Sequence, residues 1–270
     1  MSLEIKKAAV LGAGAMGATI AAHLTNAGIE CYLLDIIPFE LTDADKKKGL
    51  TEKSPAWRNR FAANGLAGVT KSKPASFFTK KNASMIKIGN FEDNLKWLAE
   101  ADWIIEVVVE NLKIKQELFA KVEKVIKPTC IVTTNTSGIP IKDISAKFSA
   151  NLKKHFLGTH FFNPPRYMKL MEIIPGADTD KAIVDFMVKF SEETLGKGVV
   201  ICKDSPNFVG NRIGVFDLSD VIKLMVEKKL KIDEVDAIVG KALGHPGTAV
   251  FRYDGSRRSR YRIPCGEKPL

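Results

Sequence analysis

"KKAAVLGAGAMGATIAAHLTNAGIECYLLDI", residues Lys6–Ile36, decides the fold of this chain. Lys7–Leu11 reads as a short apolar strand. Ala15–Asn26 reads as an alanine-rich helix that Gly28 is placed to end, and Cys31–Ile36 as a second strand finishing in Asp35. Strand, glycine turn, helix and strand make a βαβ unit. Gly12-x-Gly14-x-x-Gly17 falls at the strand-to-helix turn, where a dinucleotide fingerprint requires it. Gly12 permits the tight turn, Gly14 lets backbone approach a pyrophosphate, and Gly17 lets helix and strand pack closely. The helix N-terminus, with Ala15 and Met16 in its first turn, offers free N–H groups and a partial positive charge to phosphates. Asp35 is placed to accept from the adenosine ribose hydroxyls and to repel a 2′-phosphate, which favours NAD over NADP. FAD-binding proteins share the fingerprint, so the nicotinamide assignment needs the rest of the chain.

The α/β rhythm continues outward from this unit. Pro38–Asn90 is rich in basic residues and broken at Pro74 in "KSKPASFF", with helices expected on both sides. Strands are predicted at Trp103–Val109, Cys130–Thr134, His155–Phe161, Lys169–Ile174 and Gly198–Cys202, and helices at Ile114–Ile126 and Asp180–Leu195. After Asp204 the character changes. "SPNFVGNRIGVFDLSDVIKLMVEKKL" and "IDEVDAIVGKALG" are both helical by periodicity, with Pro206 suited to start the first and Asp233 to cap the second. The fold class is therefore α/β: a Rossmann-type dinucleotide-binding domain over residues 1–203, then an incomplete all-helical domain over 204–252.

The longest apolar run, "WIIEVVV", is interrupted by Glu106 and too short to span a bilayer, and "MSLEIKKAAVLGAG" lacks the layout of a signal peptide. The expectation is a cytoplasmic protein without membrane contact. Cys31, Cys130, Cys202 and Cys265 are widely spaced, which supports neither a disulfide framework nor a metal site, and the first three sit in apolar runs as buried small residues. The net charge of +10 suits an anionic ligand.

A second cluster carries the chemistry: "GTHFFNPPRYMKLMEIIPG", with "TTNTSG" before it and "SPNFVGNRIG" after it. His160 ends one strand and Glu172 lies on the next, so the "NPPRY" turn can bring them side by side. A carboxylate would then orient the imidazole and stabilise the imidazolium as it takes a proton. Spacing alone favours the plainer reading, a core histidine and a surface glutamate.

These segments, together with "ADWIIEVVVENLKIKQELF", "TTNTSGIPI", "LGKGVVICKDSPNFVGNRIG" and "IDEVDAIVGKALGHP", resemble the NAD-dependent 3-hydroxyacyl-CoA dehydrogenases of fatty-acid β-oxidation up to about Arg252. "GLAGVTKSKPASFF" and "GNFEDNL" are most similar to versions fused to an enoyl-CoA hydratase domain. The resemblance implies His160 as the base that removes the 3-hydroxyl proton, Glu172 as its support, and Ser137 and Asn211 as donors to the substrate oxygen. It also implies that Asn163, Glu110, Lys115 and Asn135 line the cofactor and acyl-CoA site, and that the intact protein forms a homodimer through the helical domain. Lys71 and Lys73 are candidate contacts for coenzyme A phosphates, with a solvated lysine face as the plainer reading. The rival readings are a dehydrogenase of another hydroxy acid and a catalytically dead NAD-binding fragment.

Tyr253–Leu270 breaks the pattern. Thirty-one lysines accompany five arginines up to Arg252; one lysine and four arginines follow. The expectation is a non-native tail read out of frame, since a codon set for these residues, shifted by one nucleotide, encodes the family-like peptide TMDLVGLDTVFRVGRNL. The alternative is a basic arm for nucleic acid or membrane, with Arg257, Arg258, Arg260 and Arg262 beside Tyr253 and Tyr261.

Overall fold

The computed structural model describes residues 3–240 and Leu243. The tail 253–270 and nearly all of 241–252 lie outside the described residues. The opening segment forms β1 (Lys7–Leu11), α1 (Ala15–Asn26) and β2 (Glu30–Asp35). Short helices follow, α2 (Asp43–Lys47), α3 (Pro55–Arg58) and α4 (Arg60–Thr70), then β3 (Ile86–Asn90) and β4 (Trp103–Glu106). Next come α5 (Leu112–Val122), β5 (Ile131–Thr134), α6 (Ile141–Ile144), α7 (Ala150–Lys154) and β6 (Phe156–Phe161). β7 (Leu170–Pro175), α8 (Lys181–Glu193) and β8 (Gly198–Ile201) follow.

The strands lie in the order β3-β2-β1-β4-β5-β6-β7-β8. The first six in that order run parallel, the arrangement of a doubly wound dinucleotide-binding sheet. β7 pairs antiparallel with β6, and β8 parallel with β7. Chain order reverses between β1 and β4, which opens a crevice at the carboxyl ends of those strands. Both faces of the sheet are covered, so the central strands are apolar on both sides. Val10, Ile105 and Phe161 pack on one face with Ile20 and Leu24 of α1 and Met187 of α8. Leu11, Ile104 and Phe156 pack on the other with Leu118, Phe119 and Val122 of α5.

Three expectations need correction. β4 ends at Glu106 rather than Val109, because the Glu106 carboxylate accepts from the Val108 N–H at 2.7 Å and turns the chain out of the sheet. Past Pro74 there is a 3₁₀ turn at Lys80–Met85 and then an edge strand, in place of a helix. "IKIGN" pairs with β2 from Cys31↔Ile86 to Asp35↔Asn90, and that long-range pairing decides its state. The helix expected from Pro206 begins at Gly210, because Asn207 and Phe208 have φ of 62° and 46°, which a right-handed helix excludes.

The first compact unit runs to Val209. Residues 204–209, set beyond the expected boundary, are tied to it: Asp204 accepts from the Ile141 and Lys142 N–H groups, and the Val209 N–H donates to Glu172. The second unit contains α9 (Gly210–Lys228) and α10 (Ile232–Val239). No helix among the described residues is long and apolar enough to cross a membrane. Cys31, Cys130 and Cys202 are buried free thiols.

His23 of α1 is buried edge-on to Phe161, ring centroids 6.5 Å apart. Burial, reinforced by the Lys197 charge and only partly offset by the Leu195 carbonyl, pushes its pKa down to about 4. Between about pH 6.5 and about pH 4 the unfolded chain binds a proton that the folded chain refuses, so stability falls as pH falls through this window. His23→Leu should remove up to about 3 kcal/mol of that loss, read as a shallower decline of urea midpoints between pH 7 and pH 4.

Candidate functional site

The glycine loop is built by exclusion. Gly12 has φ of +108°, and a Cβ there would lie 2.6 Å from the Val107 carbonyl oxygen. A Cβ on Gly17 would lie 1.8 Å from the Gly12 carbonyl oxygen, so no larger residue lets α1 approach β1 this closely. Gly14 is different: nothing lies within 4 Å of where its Cβ would be. It is the N-cap of α1, with no side-chain cap and no acid in the first turn, so the N–H groups of Ala15 and Met16 meet no competing carboxylate. The Asp35 carboxylate accepts from the Ala13 N–H and the Ile36 N–H, both at 2.7 Å, which locks the loop to the end of β2. Its remaining lone pairs suit ribose hydroxyls. Gly65 of α4, outside the glycine fingerprint, comes so close that a Cβ would meet the Ala13 carbonyl at 2.4 Å. Open space at Gly14, an uncapped helix start and a half-buried Asp35 are the features a dinucleotide needs, and the residues fit one.

Gly14→Ala and Gly17→Ala should therefore separate binding from folding. Gly14→Ala should melt like the parent while losing NADH affinity by about tenfold or more, since the new methyl occupies the approach path. Gly17→Ala should lose stability outright. Parental affinity in Gly14→Ala, by fluorescence titration, would place the cofactor elsewhere.

Beside the crevice lies a buried ionic group. Glu106, at the end of β4, is fully buried, and its carboxylate accepts from Lys115 Nζ at 2.7 Å and Thr134 Oγ1 at 2.6 Å. Burial raises the Glu106 pKa, against the opposing pull of Lys115 and its other donors. Lys115 was expected to line the site. Instead it is 1% exposed, turned inward by this pair, with Glu110 as a second partner at 3.4 Å. Glu110 accepts from Thr136 Oγ1 and from the Gly138 N–H at 2.8 Å. Burial pushes its pKa up, yet Thr136, Lys115 and the Gly138 N–H together bring the net shift down. Glu110 thus braces the loop carrying Ser137, which is half-buried after β5. Asn135 Oδ1 accepts from the Phe161 N–H at 2.9 Å and joins that loop to β6.

His160 and Glu172 face each other directly across the β6–β7 ladder. His160 Nδ1 and Glu172 Oε2 lie 2.7 Å apart, with Glu172 fully buried and His160 nearly so. The other carboxylate oxygen accepts from the Val209 N–H at 2.8 Å. Phe162 and Phe208 pack edge-on against the imidazole, at 4.7 and 5.8 Å. A carboxylate bound to Nδ1–H leaves Nε2 as the basic nitrogen, the geometry for taking a proton from a ligand. The Asn207–Phe208 turn was not foreseen as part of this arrangement. Its left-handed backbone brings both the Phe208 ring and the Val209 N–H to the pair.

Asn163 is exposed on the turn after β6, and Lys71 and Lys73 are exposed beyond α4. Asn211 belongs to the second unit, near the start of α9. Among the described residues no group of three or more His, Cys, Asp or Glu side chains gathers as a metal site.

Residues 7–205 match the family described as "3-hydroxyacyl-CoA dehydrogenase, NAD binding domain". A probable 3-hydroxyacyl-CoA dehydrogenase of Bacillus subtilis is 50% identical over 252 residues, covering 93% of this chain and 32% of that protein. A namesake from Deinococcus radiodurans is 44% identical over 250 residues, covering 93% and 68%. The crystal structure of (S)-3-hydroxybutyryl-CoA dehydrogenase from Ralstonia eutropha superposes with a TM-score of 0.68 at 26% identity, over 90% of this chain and 79% of that one. The chain spans about a third of the length of the Bacillus relative.

Proposed function

The chain belongs to the 3-hydroxyacyl-CoA dehydrogenase family and carries its NAD-binding domain, and we propose that it interconverts (3S)-3-hydroxyacyl-CoA and 3-oxoacyl-CoA in fatty-acid β-oxidation. The observation that carries this reading is the 2.7 Å contact between His160 Nδ1 and Glu172, set at the carboxyl end of β6 beside the Ser137 loop. Bound at the glycine loop, NAD supplies the acceptor for a hydride leaving C3 of the substrate. His160 Nε2 takes the hydroxyl proton as the hydride departs, so the carbon and oxygen lose one hydride and one proton between them. Glu172 holds the ring orientation and stabilises the imidazolium that results. Ser137 donates to the oxygen that becomes the ketone, where a preorganised donor has most effect. Asn211 is assigned to the substrate on the strength of its "VGNR" motif alone. Asn163, Lys71 and Lys73 are the contacts we assign to acyl-CoA. The helical region is assigned to homodimerisation, and an enoyl-CoA hydratase to the same reaction sequence.

The test is acetoacetyl-CoA-dependent oxidation of NADH by the full chain. His160→Ala and Glu172→Gln should each lower kcat by roughly two orders of magnitude or more, with NADH affinity retained. The double variant should be little worse than the poorer single one, because the two act as a unit. NADH should bind at least about tenfold more tightly than NADPH, a difference of about 1.4 kcal/mol. A wild-type chain that binds NADH and never turns over acetoacetyl-CoA would favour the non-catalytic reading.

A further inference from the structure

Two lysines are buried among the described residues, Lys115 and Lys197. Lys115 meets the Glu106 carboxylate. Lys197 has no ion pair among the described residues, although a buried cation is costly to leave without a carboxylate. Its Nζ donates instead to two backbone carbonyls, Pro165 O and, at 3.0 Å, Met168 O. Both belong to the turn 162–169 that joins β6 to β7. We propose that Lys197 is a positioning residue for His160 and Glu172, its ammonium fixing from beneath the turn that sets the register of their two strands. The proposal rests on the dehydrogenase reading of that pair.

The turn needs such a device. A two-residue hairpin fixes register by its own geometry, whereas a connection this long does not. Slippage by one residue would send His160 to the opposite face of the sheet. Lys197 holds the inner side of the turn, and its own N–H donates to Ser191 O at 2.9 Å, which anchors it to α8. On the outer side Arg166 donates to the Ala75 and Phe77 carbonyls at 2.7 and 2.8 Å, and Tyr167 Oη to Ala75 O at 2.9 Å. Lys197 also lies 5.8 Å from the centroid of Phe161, the residue next to His160, on the face away from the imidazole.

The titratable group that feels the Lys197 charge is His23 of α1; β6 presents Phe161, and the turn presents carbonyls. With its pKa near 4, His23 stays neutral above pH 7. Burial alone brings Lys197 down to about 8, so its grip on the turn should loosen in mildly alkaline solution. Between about pH 8 and the ordinary lysine range the unfolded chain holds more protons than the folded one, so this group adds folding stability as pH rises. A fall in kcat across that window is then not unfolding through this group.

The experiment compares the full chain with Lys197→Met and Lys197→Arg. In Lys197→Met, kcat for acetoacetyl-CoA reduction should drop roughly tenfold to a hundredfold while the NADH dissociation constant stays within about twofold. Lys197→Arg, which keeps the cation, should recover most of that loss; equal losses in both variants would mean that packing holds the turn, and would overturn the proposal. A second measurement needs neither a variant nor turnover. In the wild-type chain, the carbonyl ¹³C shifts of Pro165 and Met168 should titrate together with the Lys197 side-chain resonances between pH 7 and pH 10. Carbonyls that do not move over that range sink the proposal even if Lys197→Met fails to fold. A chain whose carbonyls titrate but which never reduces acetoacetyl-CoA sinks the dehydrogenase reading and leaves the turn device standing.

Discussion

The contact between Gly17 and the Gly12 carbonyl is the constraint on which the first unit depends. A side chain at residue 17 would begin 1.8 Å from that oxygen, so only glycine lets α1 start directly off the end of β1. Because the helix starts there, its unpaired N–H groups open into the crevice where the strand order reverses. The loop is closed from the other side by Asp35, whose carboxylate binds the Ala13 N–H. Packing and ligand recognition thus share a few backbone atoms, and Gly14 alone of the three fingerprint glycines is spared for the ligand.

The far half of the site is governed by buried carboxylates. Glu106 and Glu172 are both wholly enclosed, and each is held by donors at the end of a strand. Enclosing an acid without partners would be prohibitive; with two or more donors it becomes a rigid fixture. Glu106 uses this rigidity to end β4 and to hold Lys115, which in turn reaches Glu110 beneath the Ser137 loop. Glu172 uses it to aim an imidazole. The difference between the two lies in what each faces, a lysine buried with it or a histidine at the end of β6.

Where local sequence controls local structure, the chain was readable. The fingerprint, β1 and α1 fall where their glycines and apolar periodicity place them, and His160 meets Glu172 as the two-strand argument allowed. Two of the misses have one physical character: a distant partner decides them. β3 follows a lysine-rich stretch and offers only "IKIGN", and its strand state comes from pairing with β2. Lys115, read in "NLKIKQELF" as a residue lining the site, is claimed instead by the buried Glu106. The signal was present, since a glutamate inside "WIIEVVV" needs a buried counterpart. The Asn207–Phe208 turn hides behind a helical pattern because left-handed backbone at a phenylalanine has no sequence signature.

The antiparallel course of β7 is what brings the pair together. A sheet of parallel strands alone would place the residue opposite His160 on a strand reached by a crossover helix, with the pairing set by distant packing. Turning back instead puts the general-base candidate and its support on neighbouring strands, so one ladder step determines their approach. Such economy makes the pair depend on a connection long enough to drift, which is why the turn is gripped on both sides, by Lys197 beneath and by Arg166 and Tyr167 above. Residues on the connection and behind it thereby set the distance between the two that would share a proton.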